Sequence, residues 1–182
     1  MNSELQTKLD KLKAYIRQLG SLAVGFSGGV DSTFLISVAH EVLGDRALAV
    51  TETDPAVPGR EVKEAKEFCE SRGIRHVTFS VDPLTEEGYR KNSADRCYYC
   101  KRLIFTQIRK IAKENNIDYV AEGSNMDDLG DYRPGLRAAA ELGITEAVYY
   151  PTLKAILDEY GDKPEELFDA LKRNVHELVP KH

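Results

Sequence analysis

Apolar residues recur along this chain with two alternating periods. Leu5, Leu9, Leu12, Ile16 and Leu19 form a stripe at helical spacing, with Ser3 and Gln6 placed for a capping box and Gly20 as a stop, so the chain opens with a helix. Leu22, Ala23, Val24 and Phe26 follow as a short apolar run, the pattern of a strand buried on both faces of a parallel sheet. Phe34, Leu35, Val38, Ala39, Val42 and Leu43 then return to the helical period, which stops at Gly44. Further strands are predicted at Ala47–Thr51, His76–Val81 and Ile117–Ala121. A helix ending near Gly73 separates the first two, and one from about Cys100 to Asn115 precedes the third. Beyond Thr145 the pattern weakens to one predicted helix, opened by Asp162-Lys163-Pro164 and carrying Leu167, Phe168, Leu171 and Val175 on one side.

Strands and helices in this alternation imply an α/β fold, Rossmann-like, with three layers (α/β/α) around a mostly parallel sheet. Ligands of such sheets bind beyond the carboxyl ends of the strands, where Ser27, Thr51 and Glu122 fall. A length of 182 residues suits one well-packed domain, and 42% hydrophobic with 30% charged residues excludes wholesale disorder. The net charge of −5 weighs against a nucleic-acid surface, and no nucleic-acid partner is expected. With no basic, apolar leader and no stretch approaching a membrane span, a cytoplasmic location without membrane association is expected. Three cysteines in such a chain read as thiols or ligands, and Cys69, beside Phe68 in a helical pattern, reads as a buried small residue. The four histidines fall apart from one another, and none is grouped for catalysis or metal binding.

The strongest chemical signal is Ser27-Gly28-Gly29-Val30-Asp31-Ser32, at the junction of the first strand and the second helix. Such a junction directs backbone N–H groups and the positive end of the helix dipole at one point, which suits an anion. Gly28 and Gly29 permit the positive φ and close approach that a phosphate cradle needs, and Ser27 and Ser32 add hydroxyls. A carboxylate here would repel polyphosphate, so Asp31 is read as a ligand or nearby partner of Mg²⁺ bridging the phosphates. A P-loop would need Gly at Val30 and Lys at Asp31, and a G-x-G-x-x-G fingerprint is absent, so neither of those nucleotide loops applies.

Two other segments carry candidate chemistry. Arg96-Cys97-Tyr98-Tyr99-Cys100-Lys101 puts a C-x-x-C at the start of a predicted helix, a spacing that serves a metal, an iron–sulfur cluster, a redox pair or two ordinary thiols. Arg96, Lys101 and the helix N-terminus are expected to lower the thiol pKa values and favour thiolate. Tyr98, Tyr99, Tyr149 and Tyr150 are read as partly buried surface tyrosines in preference to a ring-stacking platform. The stretch from Glu122 to Gly135 delivers several carboxylates and Arg133 from a strand end, a set suited to Mg²⁺ and an acidic substrate, or equally to a solvated loop.

The S-G-G-x-D-S loop resembles the motif of the PP-loop ATP pyrophosphatase superfamily at every specified position. That resemblance implies an adenine nucleotide alpha hydrolase-like fold, cleavage of ATP between the α- and β-phosphates, AMP transfer to an acceptor, and pyrophosphate held in this loop. Taken in order, S-G-G-V-D-S-T, R-C-Y-Y-C-K and E-G-S-N-x-D-D-L-G-D-Y-R-P-G-L-R-A resemble the LarE group, the ATP-dependent sacrificial sulfur transferases, over about residues 1–144. In that group, the resemblance implies, a carboxylate of pyridinium-3,5-biscarboxylic acid mononucleotide is adenylated and sulfur then displaces AMP, in nickel-pincer cofactor biosynthesis. Some members draw sulfur from their own cysteine, and others carry a [4Fe–4S] cluster held by the C-x-x-C and one further Cys.

Carried over by motif, Ser27, Gly28, Gly29, Asp31 and Ser32 bind ATP pyrophosphate and Mg²⁺, with Thr51 and Gly123 near the nucleotide. The resemblance likewise implies that Cys97 and Cys100 are cluster ligands and form the catalytic set with Asp31, and that Arg96, Lys101, Asp127, Asp128 and Arg133 line the substrate side. Residues 1–144 are expected to form the PP-loop domain. Residues 145–182 are expected to be a short helical extension in place of the family's second region, whose C-L-S-S-R-type segment nothing here matches. A homo-oligomer acting on a small-molecule carboxylate is expected. The alternatives are a tRNA-thiolating PP-loop enzyme, an ammonia-using enzyme like the NAD and GMP synthases, and an adenine-nucleotide-binding module without transferase activity.

Overall fold

The computed structural model describes residues 3–53, 59–92, 94–123 and 134–146. It opens with α1 (Ser3–Leu19), whose stripe holds as predicted: Leu9, Leu12 and Ile16 are buried, and Lys13 reaches Glu41 at 2.8 Å from the outer edge of the contact. Strand β1 (Leu22–Gly25) leads into α2 (Val30–Leu43), and β2 (Ala47–Glu52) into α3 (Gly59–Arg72). After β3 (Arg75–Phe79) come the single turn α4 (Glu87–Arg90) and the long α5 (Arg96–Glu114). The strand β4 (Val120–Glu122), the helix α6 (Pro134–Glu141) and the short β5 (Thr145–Glu146) complete the described chain.

The five strands form one sheet in the order β3-β2-β1-β4-β5, with every pairing parallel. Side chains alternate across it. Leu22, Val24, Phe26, Ala47 and Ala49 meet α1, α2 and α3 on one face; Ala23, Leu48 and Val50 meet α5 and α6 on the other. This is the three-layer α/β/α arrangement expected from the alternation of periods. Because parallel crossovers are right-handed, α2 and α3 cover one face as the chain steps outward from β1 through β2 to β3, and α5 must cover the opposite face as it returns to β4. The direction of winding therefore reverses between β1 and β4. Their carboxyl ends diverge into a crevice there.

Helix α2 is buried on nearly every side, so its polar residues need internal partners. Ser37 donates its hydroxyl to the Thr33 carbonyl at 2.7 Å, which satisfies it within the helix.

Several boundaries differ from the sequence reading. The helix expected from about Cys100 begins at Arg96, because the Asp95 carbonyl accepts the Tyr98 and Tyr99 amides and adds a turn. Ile117 is buried but belongs to the turn leaving α5, its amide bonded to the Ala112 carbonyl, so β4 starts three residues later than expected. Helix α6 is not among the elements predicted: its first two residues, Pro134 and Gly135, close the polar stretch from Glu122, although Pro at a first turn is a helix-start signal. The sheet takes in Thr145–Glu146, just past the expected boundary at 144, while the predicted helix in 162–175 and Tyr149, Tyr150, His176 and His182 lie outside the described residues. Among the described residues no helix is long and apolar enough to cross a membrane.

The centre of α2 is the place to test the packing. Ile36 is fully buried against the sheet, so Ile36→Ala should lower the unfolding free energy by about 2–5 kcal/mol through lost burial and a residual cavity, read as a fall in the urea midpoint.

Candidate nucleotide-binding site

Residues 26–29 make the turn from β1 into α2, at the crevice where the winding reverses. Gly28 has φ +80°, a conformation an L side chain adopts only with strain. Gly29 is the N-cap of α2, extended and without a side-chain acceptor, and its carbonyl takes the first helical bond from the Thr33 amide at 2.9 Å. A helix start capped by glycine leaves its N-terminal donors without the hydroxyl or carboxylate that usually covers them, which is the condition an anion exploits. Asp31, in the first turn, places a carboxylate in the favourable field of the helix N-terminus.

The two serines shape the turn from within. Ser32 donates its hydroxyl to the Gly29 carbonyl at 3.1 Å and lies 3.2 Å from the Ser27 hydroxyl, which in turn accepts the Gly29 amide at 3.3 Å. The loop is thus held in its bent form by short-range bonds of its own.

The other two motifs close on this turn from the neighbouring strand and helix. A methyl group at Gly123 would sit 2.7 Å from the Ser32 amide nitrogen and 2.9 Å from the Asp31 carbonyl carbon, so only glycine lets the end of β4 pack against the first turn of α2. Next to it the nearly buried Glu122 receives Lys101 from α5 at 3.0 Å. The Lys101 ammonium also stands 5.0 Å from the centre of the Phe105 ring, and its stem packs closely on Gly135 at the start of α6. The chain from Gly123 to Gly135 therefore departs from the Ser27–Ser32 turn and returns beside the C-x-x-C helix. Its middle, with Asp127, Asp128 and Arg133, lies outside the described residues.

Cavities adjoin both sides of the turn. One, of about 420 Å³, lies between the loop and α3, walled by Phe26, Gly28, Gly29, Glu61, Ala65 and Phe68. The other, of about 300 Å³, lies over the carboxyl ends of β1, β2 and β4. Ser27, Ser32, Thr51, Lys101, Glu122 and Gly123 line it over an apolar floor that includes Val50, Phe105 and Ile108. An apolar floor with a few converging polar groups is the usual character of a small-molecule site. Thr51 donates its hydroxyl to the Phe26 carbonyl at 2.7 Å and meets His76 Nε2 at 2.8 Å. Burial pushes the His76 imidazole below its ordinary range, against the smaller upward pull of the Glu70 carboxylate.

The cysteines divide. Cys97 is exposed and Cys100 half-buried in the first turn of α5. The thiolate expected at Cys100 is not favoured: burial pushes this thiol up, the Glu52 carboxylate adds to it, and Lys101 and Arg96 oppose with smaller effect. Cys69 is fully buried in α3 on the opposite face of the sheet, its thiol pushed up to about 12 by burial, which bears out its reading as a core residue. The three thiols of the chain therefore do not converge, and two ligands on one helical turn are not a cluster site. Among the described residues no group of three or more His, Cys, Asp or Glu is gathered as for a metal.

Arg96 lies on the exposed side of α5, donating to the Tyr89 hydroxyl at 2.6 Å and stacking on its ring at 4.5 Å. Tyr98 and Tyr99 are half-buried, as expected. Tyr99 packs directly on Gly88 of α4, and Tyr98 lies edge-on to Tyr99 and beneath the Arg137 guanidinium. These contacts join α4, α5 and α6 outside both cavities. His76 is the residue that sequence reasoning passed over, because its partner Thr51 is 25 positions away and only strand pairing brings them together.

A model of the family described as NAD synthase matches residues 4–116, which span the whole of this site apart from Glu122 and Gly123. The chain belongs to the NAD synthase family. It is 36% identical over 139 residues, 76% of its length, to the uncharacterized protein slr1717 of Synechocystis sp., and 32% identical over 163 residues, 86% of its length, to pyridinium-3,5-bisthiocarboxylic acid mononucleotide synthase of Lactiplantibacillus plantarum. It covers 52% and 59% of those two proteins, so the chain spans little more than half the length of these relatives. In fold it is similar to glutamine-dependent NAD⁺ synthetase of Acinetobacter baumannii, solved with ADP, at a TM-score of 0.63 and 16% identity over 90% of this chain and 35% of that one. This member of the NAD synthase family thus shares the PP-loop fold that its sequence predicts.

Two outcomes follow from the geometry. Gly123→Ala should force the end of β4 away from α2, costing about 1–3 kcal/mol of stability in urea unfolding and weakening ATP binding at least about tenfold by calorimetry. Titration of the native protein with a disulfide-forming thiol reagent should modify Cys97 first and leave Cys69 unmodified until denaturant is added.

Proposed function

We propose that this chain adenylates a substrate carboxylate with ATP and releases pyrophosphate, as the first half of a sulfur transfer. The proposed acceptor resembles pyridinium-3,5-biscarboxylic acid mononucleotide, on the way to a nickel-pincer cofactor. The observation that carries the reading is the Ser27–Ser32 turn: a glycine-capped helix start at the reversal of strand order, closed from behind by Gly123. The relative from L. plantarum, whose name contains the thiolated form of such a nucleotide, supports the choice of acceptor.

In this reading the Gly28–Gly29 backbone and the N-terminus of α2 receive the β- and γ-phosphates, with the Ser27 and Ser32 hydroxyls beside them. Asp31 would hold Mg²⁺, which when bound neutralises charge on the departing pyrophosphate. A carboxylate oxygen of the acceptor attacks the α-phosphorus, the bond from that phosphorus to the bridging oxygen breaks, and pyrophosphate leaves with the electron pair. The acceptor is left as a mixed anhydride with AMP, from which a sulfur nucleophile expels AMP. Lys101, held by Glu122, offers positive charge over the cavity against the carboxylates of Glu52 and Glu61. Asp127, Asp128 and Arg133 belong to the proposed substrate side, Arg96 stands apart from both cavities on Tyr89, and Cys97 and Cys100 belong to the handling of sulfur. The described donors do not fit a complete cluster, so no step is assigned to one.

A second reading shares the adenylation and replaces sulfur with ammonia. The family match favours it, while the paired thiols at the head of α5 are left without a task.

The test is release of pyrophosphate and AMP from ATP with the pyridinium mononucleotide, compared with a nicotinate nucleotide plus ammonia. Turnover with the first supports sulfur transfer, turnover with the second supports amidation, and ATP binding without turnover in either leaves a nucleotide-binding module. Asp31→Asn should abolish pyrophosphate release, by about a hundredfold or more, with little change in the unfolding midpoint. Retained activity in that variant would remove Asp31 from the metal site.

A further inference from the structure

We propose that His76 is a positioning residue for the phosphate turn, acting through the Thr51 hydroxyl on the Phe26 carbonyl. The proposal rests on the nucleotide reading of the Ser27–Ser32 turn but is tested separately from it. A hydroxyl has one proton, and that of Thr51 is given to the Phe26 carbonyl at 2.7 Å. The 2.8 Å contact with His76 Nε2 must then run the other way, with the imidazole donating, which assigns the Nε2–H tautomer from the network. Phe26 is the last residue before Ser27, and its amide is bonded to the Val50 carbonyl at 2.9 Å, so both polar groups of this residue are tied to β2.

The turn thus has one side fixed by a chain of two hydrogen bonds reaching to β3. The His76 ring stands edge-on to Phe26 at 6.2 Å, and Phe26 meets Phe68 at 5.7 Å, so the same residue is braced by ring packing. Thr51 is almost fully buried, and loss of its hydrogen-bond partner there would leave a donor or acceptor without water to replace it. Phe26 lines both cavities, and Thr51 lines the one over the strand ends. A change at His76 is therefore transmitted to the edge of the nucleotide site by residues that themselves border it. Burial pushes the imidazole pKa down, which favours the neutral form in this partly apolar setting.

Hydrogen–deuterium exchange of the ligand-free chain tests the role without any nucleotide. His76→Leu should speed exchange in peptides covering 26–31 by about fivefold or more through loss of its bond to Thr51, of the order of 1 kcal/mol, and Thr51→Val by at least as much because it removes that bond and the one to the Phe26 carbonyl, while peptides from β1 and the middle of α2 stay near their wild-type rates. The double variant should be no faster than Thr51→Val alone, which already lacks both bonds. His76→Gln, whose amide N–H can occupy the place of Nε2–H, and Thr51→Ser should return exchange to within about twofold of wild type. Unchanged exchange in His76→Leu would overturn the proposal. So would His76→Gln behaving like His76→Leu, or an acceleration spread evenly over the sheet, which is what a purely structural loss would give. ATP calorimetry on the same variants separates the two readings. Affinity should fall with loop order in His76→Leu and recover in His76→Gln, whereas a wild-type chain that leaves ATP unbound while its turn responds as described would sink the nucleotide reading and uphold the positioning role.

Discussion

The backbone of Gly123 lies against the Ser32 amide and the Asp31 carbonyl carbon, closer than any side chain would allow. The functional end of the molecule depends on that approach. It brings the end of β4 onto the first turn of α2, and β1 and β4 are the strands between which the direction of winding reverses. A right-handed crossover on each face leaves the crevice at that junction uncovered by helix, so a site is available there without disturbing the packed layers. Glycine at 28 serves the turn by its positive φ, and glycine at 123 serves it by its missing side chain. These are different uses of the same residue.

Around that contact the charges are unevenly matched. Glu52, Glu61 and Glu122 border the cavity over the strand ends, with Lys101 drawn onto Glu122 and steadied by Phe105. A polyphosphate entering beside so many carboxylates needs the helix N-terminus, a hydroxyl-lined turn and, in the proposed reaction, a divalent cation. One of these carboxylates also acts on a thiol: burial first and Glu52 second push Cys100 up, against two flanking cations. Local sequence put Arg96 and Lys101 next to the cysteines, but each cation is already engaged, Arg96 with Tyr89 and Lys101 with Glu122.

How much of this was legible beforehand depended on sequence separation. The Ser27–Ser32 turn was readable because strand, glycines and helix are contiguous, and the core stripes of α1, α2 and α5 were readable for the same reason. The start of β4 was misplaced because Ile117 is buried in the turn before the strand, and burial alone looks like strand in an apolar run. Helix α6 is hidden because its first two residues, Pro134 and Gly135, end the polar stretch that begins at Glu122. His76 shows no partner in the local sequence, because Thr51 lies 25 positions away.

The alternating α/β order, the glycine-rich turn between β1 and α2 and the burial of Cys69 can be read from the residues in order, because each follows from side-chain type and short-range period. Which distant residues meet depends on how the layers pack. Strand order and register place His76 on Thr51, Thr51 on the Phe26 carbonyl and Gly123 on Ser32. The opposite faces taken by α3 and α5 keep Cys69 away from Cys97 and Cys100. The physical reason is that these contacts are fixed by the handedness of crossovers and the pleat of paired strands, which no local pattern of residues records.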